Sequence, residues 1–240
     1  MLPSRRMIVM GGNVFRDEYS LAFGGTDEYL DCGNDSSLQG ESDKTYALWV
    51  KTEDSGVYLM AKRTGGTGAL SLFINGSSKL TAYIGGGAGG STMSSSVVND
   101  GLWHHIAIVY DNSANSVFFY LDGVADGSDT SFTGTWNDTK KLHIGVRGAG
   151  DASHHLVGNI SDAVAYEGAL SANEIKTIYN GREPFNHMDW SQSGNLRGWW
   201  RMGDGIEHGS GLTIYDMSAN SNNGSMENME NPGDYSGDTP

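Results

Sequence analysis

The chain has 240 residues and a formal net charge of −14, with 15 Lys and Arg against 29 Asp and Glu. This balance argues against a protein that binds nucleic acid through its phosphates, because such binding needs clustered basic side chains. Glycine is abundant at 35 residues and proline is scarce at 4, which suits many short strands joined by tight turns. Cys32 is the single cysteine, so no intrachain disulfide can form.

The N-terminal residues 1–18 are interrupted by glycine and carry Arg5, Arg6 and Arg16. Their longest apolar run, Met7–Met10, is too short for the core of a signal peptide, and no later stretch approaches a membrane span. We therefore expect no membrane insertion and no export through an N-terminal signal. The three arginines are expected to bind a neighbouring subunit if the segment is an extended arm; a frayed terminus is the alternative.

Short apolar runs bounded by Gly, Asn, Asp or Ser recur along the chain, and each predicts a β-strand. Asn75-Gly76 predicts the turn of one hairpin, and the polar residues 111–116 predict the turn of another. The stretch 85–96 consists mostly of Gly and Ser and is predicted as a loop. The predicted strands cover residues 19–23, 45–51, 57–62, 70–74, 80–84, 104–110, 117–121, 142–146 and 160–166.

One helix is predicted in the C-terminal half of the chain. Ser171 and Glu174 have the spacing of a capping box, in which each side chain bonds the backbone amide of the other residue. Ile175 and Ile178 supply an apolar face, and Asn180-Gly181 ends the helix. We expect this helix to cover an open end of the fold rather than to take part in chemistry.

Three segments resemble, in the expected order, parts of one protein family. Residues 103–123 (WHHIAIVYDNSANSVFFYLDG) resemble the centre of laminin-G-like and pentraxin-like modules, residues 20–30 the opening strand, and residues 158–175 the closing strand with its helix. These modules belong to the concanavalin A-like lectin/glucanase superfamily, and the resemblance covers residues 19–180. It implies an all-β fold, an antiparallel two-sheet β-sandwich or jelly roll with one short helix. It leaves the function open, because this fold carries many functions.

The chain changes character after Pro184, where residues 196–202 and 216–224 resemble a motif that usually opens a module of this family. This segment either completes the same sandwich in permuted order or begins a truncated second repeat. We favour the first interpretation, because the segment is short for a separate domain. The predicted organisation is an N-terminal arm over 1–18, a laminin-G-like sandwich over 19–184 and a C-terminal segment over 185–240.

The acidic and histidine residues give no sign of catalysis. Glucanases of this superfamily carry a Glu-x-Asp-x-x-Glu pattern, in which alternation along a strand places two carboxylates on one face. The nearest match, Glu41-Ser42-Asp43, lacks the third acidic residue. The adjacent pairs His104-His105 and His154-His155 would point to opposite faces of a strand, and we expect His105 to be packed in the core. The sequence therefore predicts a protein that is not an enzyme and has no catalytic residues.

The resemblance implies Ca²⁺ as a cofactor, because relatives hold it with loop carboxylates near the opening and closing strands. Asp27 and Asp162 occupy those positions here, although Asp27 is also a common turn residue. A sugar site would combine an exposed aromatic ring with polar loop side chains, and Trp136, Arg147 and Asp151 are its candidates. For Trp136, an edge-strand position that caps the core is an equally good interpretation.

We favour a non-catalytic virion protein, such as a capsid-decorating or tail-associated protein of a bacteriophage. It would be made in a host cytoplasm and would contact other virion subunits, or copies of itself, through its termini. The lack of a signal and of disulfides, the N-terminal arginines and the displaced C-terminal motif support this hypothesis. The first alternative is an extracellular adhesion module that binds surface glycans, and the second is a glycoside hydrolase.

Overall fold

The computed structural model describes residues 8–10, 13–15, 17–40, 42–64, 67–85, 91–132, 140–202, 212–230 and 234–240. In these residues no helix is long and apolar enough to cross a bilayer. The strands are β1 (Ile8–Met10), β2 (Asn13–Phe15), β3 (Ser20–Gly24), β4 (Tyr29–Asp31), β5 (Lys44–Lys51), β6 (Val57–Thr64), β7 (Thr67–Ile74), β8 (Lys79–Ile84), β9 (Ser91–Val97), β10 (Trp103–Asp111), β11 (Ser116–Leu121), β12 (Val124–Asp129), β13 (His143–Ile144), β14 (Val157–Glu167), β15 (Leu196–Trp200), β16 (Thr213–Ile214), β17 (Gly224–Glu227) and β18 (Tyr235–Ser236). The helix α1 spans Ala172–Tyr179.

Two antiparallel sheets form the sandwich. The first sheet has the order β12-β11-β10-β5-β14-β3-β18, and β15 also pairs with β14. The second sheet has the order β16-β17-β4-β13-β6-β7-β8-β9, and β1 and β2 form a separate antiparallel pair. The prediction of an all-β, two-sheet sandwich with one short helix is confirmed for the described residues.

The main core lies between the two sheets, because successive side chains of a strand point to opposite faces. In β10, Ile106, Ile108 and Tyr110 belong to this core. Ala107 and Val109 alternate with them and belong to a second core on the outer face of the first sheet. The centre of the first sheet is therefore buried on both faces.

Helix α1 supplies part of the second core. The Ser171 hydroxyl accepts the Glu174 amide, and the Glu174 carboxylate accepts the Ser171 amide at 2.8 Å, so the predicted capping box is present. Ile175 and Ile178 are buried against the first sheet. From the sequence we expected the helix to cover an open end of the sandwich. It instead covers the outer face of the first sheet.

The C-terminal segment contributes strands to both sheets. β15 pairs with β14 and β18 pairs with β3 in the first sheet. In the second sheet, β17 joins β4 and also pairs with β16. The segment therefore pairs with strands of both sheets, while the predicted division of the chain into an arm, a sandwich and a C-terminal segment stays a prediction.

Two local predictions were wrong. Residues 91–97, predicted as part of a loop, form β9, because the open edge of β8 offers hydrogen bonds that override the weak β-propensity of Ser-rich sequence. The predicted strand 142–146 is shortened to His143–Ile144. Gly145 follows with φ 87°, and a Cβ at this position would lie 2.4 Å from the Phe23 ring, so the backbone departs from the strand where only glycine fits.

Candidate functional site

The second sheet has one face in the core and one face on the outside, here called the outer face. A continuous row of register partners crosses it through Asp31, His143, Ala61, Ser71 and Tyr83. The strand neighbours on either side of Ser71, and likewise of His143 and Tyr83, belong to the core, so these three side chains point outward. The outer face therefore combines aromatic and polar side chains from separate strands.

An aromatic pair lies beside this row. Tyr58 and Phe73 are register partners on β6 and β7, and their rings stack at 4.8 Å with an interplanar angle of 14°. Phe73 is half-buried, whereas Tyr58 is buried. The His154 ring meets the edge of Tyr58 at 5.5 Å. This pair gives the outer face a flat apolar surface with a polar group at its margin.

The loop that follows β13 forms the rim of the outer face and contains two predicted ligand residues. Arg147 and Asp151 contact each other as an ion pair without the alignment of a hydrogen bond. Asp151 also contacts the Nδ1 of His154 at 3.1 Å and accepts the Ser153 amide at 3.2 Å. Although burial raises the pKa of Asp151, the His154 contact and the Arg147 charge bring it below its usual value. The structure thus brings Arg147 and Asp151 together, and their contacts hold His154 against Tyr58.

His143 is the most unusual residue of the outer face. Its side chain is buried, with 3% exposed, and the Tyr29 ring meets it edge-on at 5.5 Å. Neither ring nitrogen has a hydrogen-bond partner, and the same holds for the hydroxyl of the fully buried Ser71. Burial lowers the pKa of His143, with Asp31 opposing the shift and Lys141 adding to it. The imidazole is therefore neutral near pH 7.

The two predicted metal ligands lie in different environments. Asp27 is exposed in the loop between β3 and β4, where its carbonyl accepts the Asn228 amide group at 3.1 Å. Asp162 is buried on the outer side of the first sheet, where its carboxylate accepts the Trp199 indole N–H and lies 3.4 Å from His187. The structure does not bring the two carboxylates together, and the described residues contain no group of three or more acidic, His or Cys side chains suited to a metal. Calcium binding stays a prediction.

The position of Asp162 has a local cause that the sequence did not show. The pairing of β14 with β5 shifts register between Ser161 and Val164, and Asp162 adopts a positive φ of 51° within this bulge. Its carboxylate consequently faces the C-terminal segment. Burial raises the pKa of Asp162, but His187 and Trp199 outweigh this effect and leave it below its usual value.

A buried polar network extends from this carboxylate. His187 contacts Asp162 through Nε2 and the Tyr166 hydroxyl through Nδ1, the latter at 2.6 Å. The Trp190 indole N–H donates to the same hydroxyl at 3.2 Å. The network fastens the segment after α1 to β14, so its role is structural. Its members lie far apart in the chain, and no spacing signals them.

The remaining predicted site residues cannot be placed. Trp136, and also Arg5, Arg6 and Arg16, lie outside the residues that the structure describes. Their assignments to a sugar site and to a subunit contact stay predictions.

The fold and the outer face define a lectin-like jelly roll. A family model described as the concanavalin A-like lectin/glucanases superfamily matches residues 23–176, and the chain belongs to this superfamily. No curated protein matches the chain.

Solved structures share this fold at low sequence identity. A Bacteroides ovatus protein provisionally assigned to carbohydrate binding is 17% identical to this chain, with a TM-score of 0.68. The match covers 91% of this chain and 63% of that protein's chain. The chain thus spans less than two thirds of that protein. The heptameric SAP-like pentraxin of Limulus polyphemus is 16% identical with a TM-score of 0.54, covering 70% of this chain and 85% of its own. The NanB sialidase of Streptococcus pneumoniae is 19% identical with a TM-score of 0.51, covering 68% of this chain and 28% of its own.

Proposed function

We propose that this protein is a non-catalytic carbohydrate-binding module that holds glycans on the outer face of the second sheet. The observation that carries the proposal is the stacked Tyr58–Phe73 pair, which lies on this face with Phe73 still partly exposed. An aromatic ring offers an apolar surface against which the C–H groups of a sugar can pack. The polar groups of the same face can then bond the sugar hydroxyls.

The rest of the molecule supports this choice of face. The outer side of the first sheet is covered by α1 and by the segment after it, which bury Val164, Tyr166 and Trp199. The outer face of the second sheet carries partly exposed side chains from several strands. The shared fold of the Bacteroides ovatus protein supports carbohydrate binding at the level of architecture.

The contacts of the outer-face carboxylates favour binding without hydrolysis. A glycosidase needs one carboxyl group as acid and a second as base or nucleophile. Asp31 and Glu227 lie on the neighbouring strands β4 and β17. One oxygen of Asp31 accepts Lys141 at 2.7 Å and the other accepts the Gly33 amide at 2.9 Å, so both oxygens already have hydrogen-bond partners within the protein. The sialidase relationship covers only 28% of that enzyme's chain and shows the fold alone.

The virion role expected from the sequence is a more specific hypothesis that stays a prediction. It rests on the N-terminal arginines, the single cysteine and the C-terminal motif. The location, in a virion or outside a cell, likewise stays a prediction. A carbohydrate-binding face is compatible with both locations.

The proposal is tested by binding of the 240-residue chain to a glycan array, followed by calorimetric titration of the best glycan. Phe73→Ala should weaken binding about tenfold, equal to about 1.4 kcal/mol, because it removes the exposed half of the aromatic pair. Phe118→Ala is the matched control, since this half-buried Phe packs against the second core of the first sheet. Binding that survives Phe73→Ala, or is lost equally in the control, contradicts the assignment of the face.

A further inference from the structure

We propose that His143 and Ser71 form a hydroxyl-binding subsite and that the outer face is selective for neutral sugars over acidic ones. This inference rests on the proposed carbohydrate-binding function and specifies the ligand class of the same face. It is drawn from buried polar atoms without partners and from the charges around them.

The subsite is positioned by the register of three adjacent strands. His143 on β13 lies opposite Ala61 on β6, and Ala61 lies opposite Ser71 on β7. The small Ala61 side chain lies between them and is fully buried, as Ser71 is. Ile144 and Leu72 turn to the core beside them, so the imidazole and the hydroxyl point to the outer face.

The unpartnered atoms indicate the chemistry of the ligand. Buried polar groups are almost always hydrogen-bonded, and leaving one without a partner is unfavourable. A neutral imidazole has one donor and one acceptor, and the Ser71 hydroxyl is both donor and acceptor. Two adjacent sugar hydroxyls, each able to donate and accept, match this set. The half-buried Tyr29 ring forms the adjacent wall of the subsite, where a sugar ring can stack.

The surrounding charges argue against an acidic sugar. The negative charges of Asp31 and Glu227 are close enough to His143 to raise its pKa against the effect of burial. A ligand carboxylate or sulfate at this position would therefore meet two anions. Lys141, the cation whose charge acts on His143, already bonds Asp31 at 2.7 Å. An acidic sugar at His143 would have to break this contact to gain a counter-ion there, whereas a neutral sugar would not.

The test uses an array of neutral glycans and the same glycans carrying sialic acid or sulfate, probed with the full chain. We expect neutral glycans to bind at least about tenfold more tightly than their acidic counterparts. His143→Phe should weaken binding of the best neutral glycan about tenfold while thermal stability is kept or raised, because a buried unsatisfied group is removed. Ser71→Ala, which changes little volume, should weaken binding in the same direction.

A spectroscopic readout separates ligand contact from a structural role. The ring nitrogen signals of His143 in ¹⁵N NMR should shift when the neutral glycan is added, and Phe73→Ala should leave the protonation state of His143 unchanged. If the chain binds no glycan, both this inference and the proposed function fail. If Phe73→Ala abolishes binding but His143→Phe and Ser71→Ala bind normally, buried water satisfies these atoms and this inference alone fails. Equal or tighter binding of the acidic glycans also overturns it.

Discussion

His104 and His105 show how two identical side chains next to each other acquire opposite properties. The β10 strand turns them to opposite sides, as the sequence predicted. Hydrogen bonding to Asp122, with Asp122 and Asp100 as nearby charges, raises the pKa of His104 against the effect of burial. His105 is buried between Trp49 and Tyr179, and burial lowers its pKa to about 4. The prediction that His105 is a packed core residue is confirmed.

His105 should make the protein sensitive to acid. Its folded pKa of about 4 lies below the ordinary value of 6.5, so as pH falls from about 6.5 to 4 the unfolded chain binds a proton that the folded chain does not. The free energy of unfolding should therefore fall by about 2 kcal/mol between pH 7 and pH 4.5 from this residue. Urea denaturation at both pH values should show a smaller fall in His105→Phe.

His104→Asn is the control for this prediction, and it should behave in the opposite way. Because the folded pKa of His104 is raised, its stabilising effect is present at pH 4.5 and is lost as pH rises through that pKa. The His104→Asn variant should thus lose more stability at acid pH than at neutral pH. An unchanged acid sensitivity in His105→Phe would show that other groups cause it.

At the scale of single elements, the sequence predicted structure correctly where side chains form hydrogen bonds with nearby backbone groups. The capping box of α1 and the hairpin turn between β10 and β11 follow from side chains that bond their own backbone. β9 and β12 were missed because their Ser-, Gly- and Asp-containing sequences have weak β-propensity, and pairing with a neighbouring strand forms them. Such pairing depends on residues far away in the chain.

The same reason explains what could be predicted of the candidate site. Arg147 and Asp151 were found because they are close together in sequence, and they lie at the rim. The alternation Leu70-Ser71-Leu72-Phe73-Ile74 predicted a strand, but not which of its faces was open. The meeting of Ser71 with His143 depends on the order of β7, β6 and β13, which no local pattern specifies.

The helix cap should contribute measurably to stability. Ser171→Ala removes the acceptor for the Glu174 amide and should lower the free energy of unfolding by about 1 kcal/mol in urea denaturation. Thr177→Ala is the matched control on the exposed side of α1, where the hydroxyl only bonds the Asn173 carbonyl and should matter little. Equal losses in the two variants would mean that the cap is not what stabilises this end of the helix.

At the scale of the whole molecule, the C-terminal segment should be required for folding. A chain ending at Pro184 loses β15 from the first sheet and β17 from the second, and it exposes the buried Val164. We expect it to lack the cooperative thermal transition of the 240-residue chain in circular dichroism. A chain ending at Glu230 keeps β15–β17, loses only β18, and should fold with reduced stability. A cooperative transition in the shorter chain would instead indicate a separate second repeat.

The final residues are fastened to the side of the molecule that faces away from the candidate site. Asp238 pairs with Lys51 and accepts the Trp103 indole N–H at 2.9 Å, and its carbonyl accepts the Ser20 hydroxyl at 2.7 Å. These partners belong to the first sheet, on the far side of the sandwich from Phe73 and His143. A sensor chip, bead or fusion partner coupled after Pro240 would therefore hold each copy with the candidate site turned toward the solution.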